Sequence, residues 1–326
     1  MKPKVYIAKP VPEPVITYMS EHCDVHMWNS TEPIPQDVLY EEIASVDGVL
    51  LSHIDINESF LSAASNLKIV CNASVGYDNF DIEAMKKYNV LGTHTPGVLD
   101  DTVADLVFGL ILTSARRLAE LDRLVKDGNW EKGSDTPLFG RDVHHQTLGI
   151  IGLGRIGEKL VKRAKCGFDM NVLYYNRSRK PVVEETYDAK YTALDELLSQ
   201  SDFVVLMTPL NPETEKMIGK REFHLMKPTA FFINGSRGGT VDEQALIDAL
   251  QNGEIAGAGL DVFQQEPVDS NNPLLRMPNV VTLPHIGSAT AQTRLDMAML
   301  AAQNLVKGVT GEIPPNVVPE LKQQRN

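Results

Sequence analysis

At 326 residues the chain exceeds the size at which one hydrophobic core usually stays undivided, so two domains are expected. Its 43 acidic against 31 basic residues, a formal net charge of -12 and a pI near 5.2 leave no field to hold nucleic acid or an anionic membrane. Cys23, Cys71 and Cys166 form no CxxC pair, the N-terminal apolar run is too short for a signal segment, and no run approaches the ~20 apolar residues of a membrane span, so a soluble, cytoplasmic protein is expected.

Short β-rich runs come first: KVYIA (4 to 8), DGVLLS (47 to 52), LKIVCNA (67 to 73) and NVLGT (89 to 93), with amphipathic stretches between them. Such alternation predicts βαβ units and a parallel sheet. The segment DDTVADLVFGLILTSARRLAELDRLVKDG then has an acidic start, apolar positions at helical spacing and a glycine after a basic last turn, which predicts one long capped helix. The polar stretch 128 to 146 is too long for an ordinary connector and carries isolated Trp130, Leu138 and Phe139, so it is expected to be an arm that packs on a second copy of the chain in a homodimer. A second strand series follows: TLGIIG, NVLYY, DFVVLM, AFFING, AGAGLD and NVVTLP, each short and apolar enough to be buried on both faces. A last helix is expected from an N-cap at Ser288 to Gly308, and the end PPNVVPELKQQRN is expected to be a loose tail.

The strand LGII runs into Gly152-Leu153-Gly154-Arg155-Ile156-Gly157 and a helical pattern, the context that makes GxGxxG a dinucleotide fingerprint. The glycines permit the tight turn, the close approach of pyrophosphate and helix packing, and the helix N-terminus presents a positive dipole end. About 20 residues further on, an acid would grip the ribose 2'-hydroxyl of NAD. Here stand Asn176, Arg177, Ser178, Arg179 and Lys180. A carboxylate would repel a 2'-phosphate, whereas guanidinium and hydroxyl groups bind it, so NADPH is the preferred cofactor expected, with NADH also usable.

Hydride transfer to an oxo acid needs a carboxylate anchor and a proton donor. Arg237, in INGSRGG just after a strand, offers a planar fork for a 2-oxo carboxylate. His285, in LPHIGSAT after another strand, suits proton exchange near neutral pH, and Glu266 in DVFQQEP can hold its imidazole. His22 and His26 flank Cys23, but CDVHMW reads as a strand, where positions four apart are too distant to share one metal, so no metal site is expected. His144 and His145 are expected to make structural hydrogen bonds.

Through SVGYDNFD, TVADLVFGLIL, GLGRIG, INGSRGG, GLDVFQQEP and LPHIGSAT, the chain resembles the D-isomer specific 2-hydroxyacid dehydrogenases over essentially its whole length, and SVGYDNFD with DVHHQTLGI is similar to the bacterial members that reduce glyoxylate and hydroxypyruvate. The resemblance implies an α/β protein of two doubly wound parallel-sheet domains. A flavodoxin-like substrate-binding lid would span 1 to 99 and 289 to 326, and a Rossmann NADP-binding domain with its dimerisation arm would span 100 to 288. It implies that His285 is the general acid, Glu266 its partner and Arg237 the substrate anchor, with backbone groups of Val75 and Gly76 on the substrate carboxylate. Thr102, Arg155 and Ile156 would meet the cofactor phosphates and Asp261 the nicotinamide amide. The reaction implied is NADPH-dependent reduction of glyoxylate to glycolate, hydroxypyruvate to D-glycerate and 2-keto-D-gluconate to D-gluconate. A 3-phosphoglycerate dehydrogenase and a dinucleotide-sensing corepressor share the fold and stand as alternatives.

Overall fold

The computed structural model describes residues 1–133, 135 and 138–325, with the side chains of 323–325 left aside. The chain forms two compact units, one of Met1–Leu99 with Ala289–Asn326 and the other of Asp100–Ser288.

The first unit is built on strands β1 (Lys4–Ile7), β2 (Asp24–Met27), β3 (Gly48–Leu51), β4 (Ile69–Asn72) and β5 (Leu91–Thr93). All pair in parallel in the order β2-β1-β3-β4-β5. Every residue of β3 and β4 is buried, as expected for central strands with helices on both faces. The helix Ala291–Thr310 returns to this sheet: Gly48 has no room for a Cβ because Leu305 and Val309 lie 2.7 and 2.8 Å from where it would stand. The core joins Val49, Leu50, Ile69, Val70 and Met85 to Ala301, Leu305 and Val309 of that helix.

The second unit holds β6 (Thr147–Ile151), β7 (Asn171–Tyr175), β8 (Lys190–Tyr191), β9 (Phe203–Leu206), β10 (Phe231–Asn234), β11 (Gly257–Leu260) and β12 (Val280–Thr282). They form a parallel 7-stranded sheet in the order β12-β11-β10-β9-β6-β7-β8. Strand order reverses beside β6, so ligands of such a sheet gather at the carboxyl ends of β6 and its neighbours.

Four local expectations are corrected. The predicted long helix is two helices, Asp100–Ala115 and Leu118–Lys126, because Arg117 takes a left-handed conformation (φ 55°). Its guanidinium is held there by Glu120 at 2.6 and 2.8 Å and by the Phe139 carbonyl at 3.3 Å, the second a long-range contact that helical periodicity does not encode. The last helix is capped by Thr290, whose hydroxyl accepts the Thr293 N–H, and not by Ser288. It runs through Gly308, which is buried against Ile69, and ends at left-handed Gly311. The C-terminal segment is no loose tail: Val317, Val318 and Leu321 are buried, and the Val318 N–H reaches the Gly92 carbonyl at 2.9 Å. Among the described residues, no helix is long and apolar enough to cross a membrane.

Candidate active site

In the second unit, β6 delivers the chain into Gly152 with φ 96°, where a Cβ would lie 2.8 Å from the Met207 carbonyl carbon. A Cβ on Gly157 would meet the Gly152 carbonyl oxygen at 2.9 Å, so this glycine lets the helix Arg155–Phe168 press on the turn. At Gly154 a Cβ would meet nothing within 4 Å, and no side chain caps the helix that begins there. The first turn of this 14-residue helix is thus left without a side-chain cap, and such a helix start is fitted to the pyrophosphate of a dinucleotide. Arg155 opens the helix, exposed and 3.3 Å from Asp100, with Ile156 beside it, and Thr102 lies in the first turn of Asp100–Ala115.

The turn after β7 carries the basic cluster. Its members are not equivalent. Asn176 donates to the Ser178 carbonyl at 2.9 Å, which curls the turn on itself. Arg179 forks onto both oxygens of Glu184 and lies over the Tyr191 ring, and Lys180 is 3.4 Å from Glu158. The hydrogen bonds from Arg179 and Tyr174 hold the Glu184 carboxyl below the usual range. Arg177 is 86 % exposed and 3.7 Å from Glu213, itself 74 % exposed, a loose pair that a phosphate can displace.

At the carboxyl ends of the adjacent strands β10, β11 and β12, the structure brings together Arg237, Asp261, Glu266 and His285. Asn234 closes β10 and holds the Arg237 turn with its side chain: Oδ1 accepts the Ser236 N–H at 3.0 Å and Nδ2 donates to the Arg237 carbonyl at 3.0 Å. Thr240 donates to the same carbonyl at 2.6 Å. Gly238 permits a close approach, since a Cβ there would stand 1.9 Å from the Phe263 carbonyl. The Arg237 turn and the loop that leads to Glu266 are thus packed backbone to backbone.

Glu266 accepts the Phe263 N–H at 3.1 Å through one oxygen and meets His285 Nδ1 at 2.7 Å through the other. Burial pushes the Glu266 carboxyl up, yet the hydrogen bonds from His285 and Phe263, with the charges of His285 and Arg237, prevail and hold it below its ordinary value. The carboxylate is therefore ionised and fixes the ring through Nδ1, which leaves Nε2 as the nitrogen that Glu266 does not engage. His285 itself has φ 55°, a conformation that places its ring on the turn. That turn is clamped by Asp261, which accepts the N–H groups of Ile286 and Gly287 at 2.8 Å each. Asp261 is buried, and burial pushes its carboxyl up despite these bonds.

Two supporting residues, Asn234 and the clamping function of Asp261, were not legible in sequence; an asparagine or aspartate at a strand end signals only a turn.

In the first unit, the loop after β4 holds Val75 and Gly76. The Gly76 carbonyl accepts from Asn72 at 2.9 Å and from Ser74 at 2.5 Å, and the Val75 carbonyl is 2.8 Å from His94 Nδ1. The Val75 and Gly76 amides donate to no described residue. Two adjacent N–H groups of this kind can take a carboxylate. No described cluster of His, Cys, Asp and Glu has the make-up of a metal site.

Comparison with known proteins gives the same outline. Residues 108–287 match the family model described as D-isomer specific 2-hydroxyacid dehydrogenase, NAD binding domain. The chain is 46% identical over 323 residues to a glyoxylate/hydroxypyruvate reductase B of Klebsiella pneumoniae, covering 99% of this chain and 100% of the relative. It is also 46% identical over 323 residues to a glyoxylate reductase of Thermococcus litoralis, covering 98% and 97%. Among solved structures, an NADPH-dependent glyoxylate/hydroxypyruvate reductase of Sinorhizobium meliloti in complex with NADP and malonate superposes with a TM-score of 0.86 at 30% identity, covering 98% of each chain. With its glycine turn, its strand-end cluster and these likenesses together, the chain belongs to the D-isomer specific 2-hydroxyacid dehydrogenases, oxidoreductases that work with a nicotinamide dinucleotide.

Proposed function

We propose that this chain is an NADPH-dependent reductase of small 2-oxo acids, converting glyoxylate to glycolate and hydroxypyruvate to D-glycerate, with 2-keto-D-gluconate as a larger substrate of the same class. The observation that carries the reading is the His285–Glu266 contact at 2.7 Å, on strand ends adjacent to that of Arg237. When bound, the reduced nicotinamide supplies the hydride. His285, held at Nδ1, releases its proton from Nε2 to the keto oxygen, and Glu266 stabilises the imidazolium before that transfer. Arg237 binds the substrate carboxylate through its fork and draws electron density from the adjacent carbonyl. The amides of Val75 and Gly76 are carboxylate donors of the first unit.

The glycine turn and helix Arg155–Phe168 hold the pyrophosphate, with Thr102, Arg155 and Ile156 beside it. Arg177 leads the contact with a 2'-phosphate, Ser178 and Asn176 complete the turn, and Arg179 acts mainly by supporting it from Glu184. Asp261 serves the site chiefly by holding the His285 turn.

The domain roles follow: residues 1–99 and 289–326 form the substrate lid and 100–288 the cofactor domain. The chain acts as a homodimer in this reading. Helix Leu118–Lys126 has apolar residues on one side but none buried, and Leu118, Val125, Trp130 and Phe139 are each at least half exposed. Within the arm, residues 134, 136 and 137 lie outside those described. The deciding experiment is kcat/KM for glyoxylate, hydroxypyruvate and 2-keto-D-gluconate with NADPH and with NADH. Turnover of all three at negligible rates, or a clear preference for NADH, overturns the corresponding part of the proposal.

A further inference from the structure

The sheet of the first unit has its own topological switch point. Its order β2-β1-β3-β4-β5 sends the chain one way from β1 and the other way from β3, and in open α/β sheets the crevice between the carboxyl ends at such a point is where ligands bind. Lys9 follows β1 by two residues and Ser52 follows β3 by one, and the Lys9 ammonium donates to the Ser52 hydroxyl at 2.6 Å across that crevice.

A second cation reaches the same edge. Leu305, Gly308 and Val309 of the last helix cover Gly48 and Ile69, the first residues of β3 and β4. Arg294 lies eleven residues before Leu305, or about 16 Å along the helix at 1.5 Å per residue. From Gly48 to Ser52 the strand advances about 13 Å. The first turn of the helix, with Arg294, therefore stands at the level of Ser52 and Lys9.

These charges are not neutralised. Lys9 and Arg294 are both partly buried, and neither has a carboxylate partner among the described residues. Two other partly buried lysines are paired: Lys159 sits 2.9 Å from Asp101 and Lys227 2.8 Å from Asp202. Asp296, two residues beyond Arg294, is turned to Gln292 at 2.8 Å. Burial, and then the charge of Arg294, hold the Lys9 ammonium below its usual value. Two like charges kept together at a ligand crevice are costly unless an anion joins them.

We propose that Lys9, Ser52 and Arg294 form an oxyanion site, distinct from the Val75–Gly76 amides, that takes a carboxylate or phosphate group. Lys9 and Ser52 lie past β1 and β3 and the amides past β4, so the two places are about 5 to 10 Å apart across strands spaced at 4.8 Å. The anion is either the second acid group of an extended 2-oxo acid or a free phosphate. Only the first of these rests on the reductase reading.

The test is calorimetric titration of the full-length protein with inorganic phosphate, for wild type, Lys9→Met, Arg294→Met, the double variant and Lys9→Arg, each first checked for an intact thermal transition. Saturable binding is expected in wild type, weakened about ten- to hundredfold in either Met variant and retained in Lys9→Arg, which keeps the charge. Kinetics then separate the two sources. If the occupant belongs to substrate, the double variant loses kcat/KM for oxaloacetate, a 2-oxo dicarboxylate, at least tenfold more than for glyoxylate. If it is free phosphate, the ratio of the two substrates stays constant and added phosphate changes the rate of wild type alone. A wild type that takes up no phosphate, or a double variant with the wild-type isotherm, overturns the site. A protein that reduces no 2-oxo acid yet gives the expected isotherms loses the reductase reading and keeps this one.

Discussion

The carbonyl of Asp261 accepts the backbone N–H of His285 at 2.9 Å, while its carboxylate takes the next two N–H groups of the same turn. One buried residue at the end of β11 thus secures three successive amides of the loop that follows β12. His285, the proposed proton donor, stands on a clamped turn, and its ring is set separately by Glu266.

That division predicts different losses for the two partners. His285→Ala is expected to lower kcat by ~10²- to 10⁴-fold with NADPH affinity nearly unchanged, because proton donation contributes about that much. Asp261→Asn keeps one acceptor but points an amide group at the second N–H, leaving a buried donor unsatisfied at a cost of about 1 to 3 kcal/mol. It should lower both the melting temperature and kcat. A variant that melts as wild type does would show that the clamp contributes nothing to the fold.

Glu266→Gln has a signature in pH. The folded-state carboxyl is held below its ordinary value, so its ionised form stabilises the fold above that value and the benefit is lost as pH falls through the lowered one. The stability gap between wild type and Glu266→Gln should therefore be widest near neutral pH and narrow on acidification below the ordinary carboxylate range. Urea titrations at a series of pH values measure it, and a gap that widens in acid contradicts the assigned direction.

Arg237→Lys keeps the charge but not the planar fork, and so should raise KM for glyoxylate and lower kcat together. The Asn234 and Thr240 bonds go to the Arg237 backbone, so the turn itself should survive the change. Steady-state kinetics with the melting curve as control separate the two effects. A slight rise in KM alone would remove Arg237 as the anchor.

Arg177→Ala should weaken NADPH by about one to two powers of ten, the worth of a charge-assisted contact, and leave NADH nearly unchanged. Because Arg179 is already bound to Glu184, it is poorly placed to compensate, and Arg179→Ala should disturb the two cofactors alike. Asn176→Asp added to Arg177→Ala should improve NADH by offering a carboxylate to the 2'-hydroxyl. The ratio of kcat/KM for the two cofactors reports each step.

The sequence by itself was enough to identify the strand-rich core segments and the glycine turn. Runs such as FVVL and FFIN are apolar on both faces and short, and a run of that kind has few homes besides the middle of a parallel sheet. Arg237, Glu266 and His285 were also visible, because each follows a strand and carries a side chain suited to anion or proton chemistry. Only the tertiary structure decided the rest, since residue type and period do not say which of several candidate partners a side chain takes. Arg117 breaks a helix whose periodicity runs straight through it, because Glu120 and the Phe139 carbonyl hold its left-handed form. Thr290 caps the last helix in place of Ser288, and the C-terminal valines bury themselves against β5. In the basic turn, composition offered Arg177 and Arg179 as equals, and it took Glu184, five residues beyond, to bind one and leave the other loosely held. Local sequence carries propensity and period; a side chain's partner is set by which strand ends the fold brings side by side.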